Sequence, residues 1–145
     1  MSTQTESIVS LWGGEKTLGR QIRSENDLIE ALRQGLPYAA LERLMETVKL
    51  SRSEITSALL IPGRTLVRRK QEKRLAVDES DRLYRLARIV AHALAIFGDQ
   101  DKVAAWLHRP NRALNGAIPL DLLDTDIGAT RVDDVLGRLE HGVFS

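Results

Sequence analysis

Six cations fall within one short run of this chain: Arg64, Arg68, Arg69, Lys70, Lys73 and Arg74, with Glu72 as the one acid among them. Residues four apart share a helix face, so Thr65, Arg69 and Lys73 form an acid-free ridge with Arg68 beside it. The planar fork of Arg can satisfy two acceptors on a guanine edge, and Thr65 can meet a thymine methyl. Lys70, Lys73 and Arg74 suit phosphates, contacts that set affinity and salt dependence rather than sequence. Arg64 through Arg74 is therefore a candidate nucleic-acid surface. Other reactive side chains point to little. The histidines, His92, His108 and His141, are far apart, and none belongs to a metal-ligating or nucleophile motif. His92 lies among Ala and Val and reads as a core or interface residue. The chain has no Cys, which removes thiol nucleophiles, disulfides and Cys-based zinc sites. Gly14-Glu15-Lys16-Thr17 looks like the end of a phosphate-binding loop, but it lacks the upstream Gly and carries Glu where Gly should precede Lys. Asp124, Asp126, Asp133 and Asp134 are explained by the dipole at the start of a last helix. We expect neither an enzyme nor a metal or cofactor.

The elements that must position the basic run are helices. A helix runs from Ser24 to Gly35, and Pro37 opens the next, over about 37–49, with Leu41, Leu44, Met45 and Val48 on one face. Ser51-Arg52-Ser53-Glu54 is a capping box, and Ile55, Ala58 and Leu59 supply the buried stripe of the short helix that Pro62-Gly63 ends. A basic helix from Arg64 to Arg74 follows, so the pair makes a helix-turn-helix. Leu60 stands where such a turn usually has Gly. Asp78 or Ser80 caps a longer helix to Phe97, with Leu83, Leu86, Ala87, Val90, Leu94 and Phe97 as its core stripe. Helices over Val103–His108 and from Ala129 or Thr130 to Glu140 complete the chain, with a turn or two at Pro119–Leu123. Trp106 is assigned to the core. The first two dozen residues, polar and holding Gly13, Gly14 and Gly19, read as a loop or loosely docked arm. Almost nothing alternates with period two, so the fold class is all-α.

The 145 residues carry a formal net charge of +1, with 43% apolar and 28% charged side chains, ordinary values for a globular protein. That near-neutral total conceals an asymmetry. Residues 36–77 hold a net of +5, whereas residues 119–145 hold a net of −4. A basic module and an acidic end suggest two partners of different charge. Leu86 to Phe97, the most apolar stretch, is too short to span a bilayer and contains Arg88 and His92. No secretory signal is visible at MSTQTESIVS, so a soluble cytoplasmic protein is expected, with no membrane partner.

From Arg64 to Ser145 the chain resembles the Xre/MbcA/ParS class of antitoxins, and the region before it resembles that family's Xre-like helix-turn-helix half. The matching residues include Arg64-Thr65-Leu66, Arg68-Arg69-Lys70, Glu79-Ser80-Asp81-Arg82-Leu83, Phe97-Gly98-Asp99 and Ala105-Trp106-Leu107. Pro119 to Thr125 and His141-Gly142-Val143-Phe144 continue the pattern. The resemblance implies an N-terminal helix-turn-helix half over 1–77, for DNA binding and dimerisation, and a small helical toxin-binding half over 78–145. It implies the antitoxin of a type II toxin–antitoxin pair, whose partner is a RES-domain toxin that depletes NAD. It further implies a homodimer within a higher toxin–antitoxin assembly, cover of the toxin's active site by the C-terminal part, and repression of its own operator DNA. On that basis the toxin-binding candidates are Arg138, Glu140, His141, Gly142, Val143 and Phe144. The alternative is a plain helix-turn-helix transcriptional regulator whose C-terminal half dimerises or senses a ligand.

Overall fold

Side chains that accept from free amides start most of the helices. The computed structural model describes residues 2–142, and these form nine α-helices: α1 (Thr3–Leu11), α2 (Gly14–Leu18), α3 (Glu25–Gln34), α4 (Tyr38–Val48), α5 (Arg52–Leu59), α6 (Gly63–Glu72), α7 (Val77–Phe97), α8 (Gln100–His108) and α9 (Asp126–Glu140). Ser24 accepts from the Asp27 N–H at 3.2 Å to open α3, and Thr125 accepts from the Gly128 N–H at 3.0 Å to open α9. Two 3₁₀ turns, Arg112–Leu114 and Pro119–Leu122, connect α8 to α9. Among the described residues the only strand-like pairing is an isolated bridge between Pro37 and Arg74. The fold is all-α, and no helix among these residues is long and apolar enough to cross a membrane.

Besides α6, and α8, which begins at Gln100 rather than Val103, three elements differ from the sequence reading. The N-terminal arm is neither a loop nor loosely docked. Ile8, Val9, Leu11, Trp12, Leu18 and Ile22 are buried, and α1 packs on α7 and α4. Trp12 is fully buried with its ring 6.4 Å from that of Tyr84. Its Nε1–H finds no protein acceptor, so shape and apolar contact set its place. Secondly, α7 begins at Val77, before either expected cap. Ala76 has no side-chain acceptor, and Glu79 alone accepts from the Ala76 N–H, at 2.8 Å. Ser80 sits one turn inside the helix, buried, and accepts from the Leu36 N–H at 2.7 Å, tying the α3–α4 link to α7. Finally, α9 starts about one turn earlier than expected, so Asp133 and Asp134 lie mid-helix rather than at its start.

The 21 residues of α7 run through a single core. Leu83, Leu86, Ala87, Ile89, Val90 and Ala93 are buried along it, and α1, α3, α4, α5, α8 and α9 all pack against it. Leu94 and Phe97, expected in the stripe, are half-buried against the same cluster. Trp106 is likewise half-buried, its ring 5.9 Å from that of Phe97. At the opposite end Gly35 takes φ +86°, and a Cβ there would collide with the Leu75 carbonyl oxygen. That close approach brings Leu36 and Leu75 together through a 2.8 Å hydrogen bond, and so fixes where α6 hands over to α7.

Candidate nucleic-acid and partner interfaces

The capping box is present: the Glu54 N–H donates to Ser51 Oγ at 3.1 Å and the Ser51 N–H to Glu54 Oε1 at 2.8 Å. The turn after α5 is made by Leu60 itself, in the left-handed region at φ 54°, ψ 42°. Ile61, buried, follows with its N–H on the Thr56 carbonyl at 3.1 Å, and Pro62 then starts α6. Leu66 is the buried anchor of α6, which leaves Arg64, Val67 and Arg68 on the outward face. A short helix, a turn and a basic helix stand as the spacing predicts.

The side chains do not form the predicted ridge. Arg69 is only 19% exposed and turns to α7, where it meets Glu79 in a two-point contact, Nε to Oε1 at 2.7 Å and Nη2 to Oε2 at 3.1 Å. It also reaches Glu72 at 3.1 Å. These hydrogen bonds hold the guanidinium above even its ordinary pKa. A bidentate pair with a buried carboxylate is a structural bond, so Arg69 is withdrawn from the free basic face. Helix α6 ends at Glu72, not at Arg74. Lys73 is its C-cap at φ 66°, with its carbonyl accepting from the Tyr38 N–H at 3.2 Å. Arg74 donates through Nη1 to the Gly35 carbonyl at 2.6 Å. Lys70 is exposed and 3.9 Å from Glu42, a contact of little energy. Thr65 is half-buried. Arg64, Arg68 and Lys73 are exposed and make no ion pair among the described residues, and with the weakly held Lys70 they are the cations left to act outward.

At the other end, Arg138, His141 and Gly142 are exposed on the last turn of α9 and just beyond it. Val143 and Phe144 lie outside the described residues. Glu140 is not free: it meets His92 Nε2 at 3.2 Å, while Asp133 meets His92 Nδ1 at 2.7 Å. His92, expected as a core or interface residue, is thus a half-buried polar clamp at the interface of α7 and α9. Burial of its ring works to lower its pKa, but Asp133 and Glu140 outweigh that and raise it above the ordinary imidazole value. Asp133 serves this clamp, which replaces the dipole explanation given for it above.

Two features escaped sequence reasoning. His108 Nε2 lies 3.0 Å from Glu54 Oε2, and its Nδ1 lies 2.6 Å from the Ala104 carbonyl, so the residue that caps α5 also bonds to α8. Ile127, in the first turn of α9, is 77% exposed. Its only signal was its position off the stripe of Ala129, Val132 and Leu136. No cluster of three or more metal-ligating side chains forms among the described residues.

A basic α5–α6 pair, followed by a helical unit closed by an acidic helix, defines a helix-turn-helix protein with an appended helical domain. Residues 27–88 match the Antitoxin Xre-like helix-turn-helix domain, and residues 92–142 match the Antitoxin Xre/MbcA/ParS C-terminal toxin-binding domain. The chain is 35% identical over 137 residues to an Antitoxin Xre of Photorhabdus laumondii, covering 93% of this chain and 90% of that one. It is 35% identical over 120 residues to an Antitoxin Xre of Yersinia enterocolitica, 81% of either chain. A more distant relative, the Prs ADP-ribosylating antitoxin of a Sphingobium species, is 25% identical over 129 residues, 82% of this chain and 81% of that one. The chain belongs to the Xre family of antitoxins, proteins of toxin–antitoxin systems.

Proposed function

We propose that this antitoxin acts in the cytoplasm by binding rather than by catalysis: it neutralises a RES-domain, NAD-depleting toxin and represses its own operator as a homodimer. Residues 1–77 provide DNA binding and dimerisation, and residues 78–145 provide toxin binding. The observation that carries this reading is the separation of charge along one rigid core. Arg64 and Arg68 project from α6 without internal partners, while the acidic end of the chain lies on and around α9. On the DNA arm, Arg64, Arg68 and Thr65 are the base-edge candidates, and Lys70, Lys73 and Arg74 the phosphate contacts. Arg69 supports that arm by holding α6 against α7. On the toxin arm, Arg138, His141, Gly142, Val143 and Phe144 form the approach, and Glu140 positions it through His92. The net negative charge of residues 119–145 suits the entrance of a pocket that receives an anionic dinucleotide.

The test is co-expression with the protein encoded next to it. That protein alone should arrest growth and deplete NAD, and the full chain should restore both. A chain ending at Glu140 should lose rescue while still shifting its operator. The truncation stops there because Val132, Val135 and Leu136 are core residues whose loss would unfold the chain. A neighbour that stays toxic beside a chain that binds the operator would overturn the neutralising role and favour a plain regulator.

A further inference from the structure

We propose that the exposed apolar seam between α3 and the start of α7 is a self-complementary surface that seats a second copy of this chain; the assignment rests on the homodimer reading above and gives it a place. Ile29 and Val77 line one groove there at 42% and 53% exposure, with Leu32 half-buried beside them. The other large apolar side chains exposed among the described residues are elsewhere. Leu60 and Val67 belong to the helix-turn-helix, and Ile127 stands on α9. Ile29 and Val77 line the one groove together. An exposed apolar pair at the junction of two rigid helices is the usual mark of a contact surface.

The rim identifies the occupant. Arg33 stands on the α3 wall, and Asp78 and Asp81 stand on the α7 wall. A uniformly charged partner would meet repulsion on one wall or the other. A second copy related by a two-fold axis meets none, because its α3 ridge enters this groove with its own Arg33 set against Asp78 and Asp81, and the reverse contact forms by symmetry. Arg33 has only an exposed pairing with Glu30 inside its own helix, Asp78 a 3.4 Å pairing with Arg82 one turn on, and Asp81 has no ion pair among the described residues, so Asp81 is the principal acceptor. The position suits the DNA arm as well. The groove lies beside the Leu36–Leu75 bond that anchors the end of α6, so docking there fixes one α6 relative to the other, as a palindromic operator requires.

Sedimentation equilibrium on the full chain, without toxin or DNA, tests the proposal. Arg33→Glu and Asp81→Arg should each weaken the dimer about tenfold, since symmetry doubles each lost pair and sets like charges face to face, and the double variant should restore it. Ile29→Asp should abolish the dimer with helix content unchanged, because that side chain faces water in the monomer. It should also weaken operator binding and spare toxin neutralisation. A wild-type chain that is monomeric throughout would overturn the proposal. So would a dimer indifferent to Ile29→Asp, or a double variant no better than either single one. Loss of toxin binding by Ile29→Asp with the dimer intact would give the groove to the toxin instead. None of these failures touches rescue in co-expression, so they are separable from failure of the antitoxin reading itself.

Discussion

At Arg69 the residue type is legible in the sequence and its partner is not. Six cations in a run announce a basic helix, but nothing local says that the middle one turns inward to a carboxylate ten positions later across a turn. Glu79 is buried, so removing Arg69 strands a charge. Arg69→Ala is expected to cost about 2–3 kcal/mol in urea unfolding, and Arg69→Ala with Glu79→Gln about half that, because the second change removes the stranded charge. A base-reading Arg would lose operator affinity without loss of stability. Leu60 gives the opposite sign. It is exposed, holds φ 54°, and stands where the turn would favour Gly. Leu60→Gly should raise stability by about 0.5–1 kcal/mol, the left-handed strain relieved minus the extra chain entropy of Gly, read as a higher urea midpoint. The sequence reading put Pro62-Gly63 at the bend. It lies two residues earlier, at Leu60, whose N–H already closes on the Thr56 carbonyl.

Between elements, the two histidine contacts are seams. His92 faces carboxylates through both ring nitrogens, from the middle and the end of α9, while Arg88 one turn earlier on α7 lies over the Tyr84 ring. Both nitrogens can donate only when the ring is protonated. The folded pKa lies above the unfolded one, so this stabilisation is complete below the ordinary imidazole value and fades as pH rises through the raised one. His92→Gln should therefore cost about 1 kcal/mol near pH 6 and little near pH 9, measured as urea midpoints at both. His108 obeys the same sign: burial lowers its pKa, and the Ala104 carbonyl and Glu54 raise it. The partners of these rings stand too far along the chain to be read from spacing. Helices α3 to α8 were legible because caps and breakers such as Ser24, Ser51, Pro62 and Gly98 are local chemistry. The N-terminal arm was not, since α1 is short and polar and its helix exists through the packing of Ile8 and Trp12 on α7. The start of α9 was hidden by Gly128, a poor helix former. A Cβ there would collide with the Leu122 carbonyl, so Gly is required where propensity argues against helix.

In the molecule as a whole, charge is split while the core is not. The basic and acidic ends could be read by counting, whereas the continuity of the core could not, because α7 was read as a single amphipathic helix with no sign of how many others it touches. Replacing Arg64 or Arg68 by Ala should each cost about 1–3 kcal/mol of operator affinity and relax the sequence preference, read by titrating operator against a scrambled duplex, with toxin binding and unfolding unchanged. Because one cluster of apolar side chains runs from Ile8 to Leu136, heating should produce one transition rather than two, with near- and far-ultraviolet circular dichroism losing signal together.

The shared spine α7 makes the two ends thermodynamic neighbours even without a signal passing between them. A ligand that binds only the folded chain stabilises all of it, by about 2.7 kcal/mol at one hundred times its dissociation constant. The same grip protects the far end, because neither end can unravel without the helix that both lean on. Toxin held at α9 therefore prolongs the lifetime of the helix-turn-helix, and operator held at α6 prolongs that of the toxin arm. A protease that requires an unfolded stretch would find the chain most vulnerable when both ends are empty.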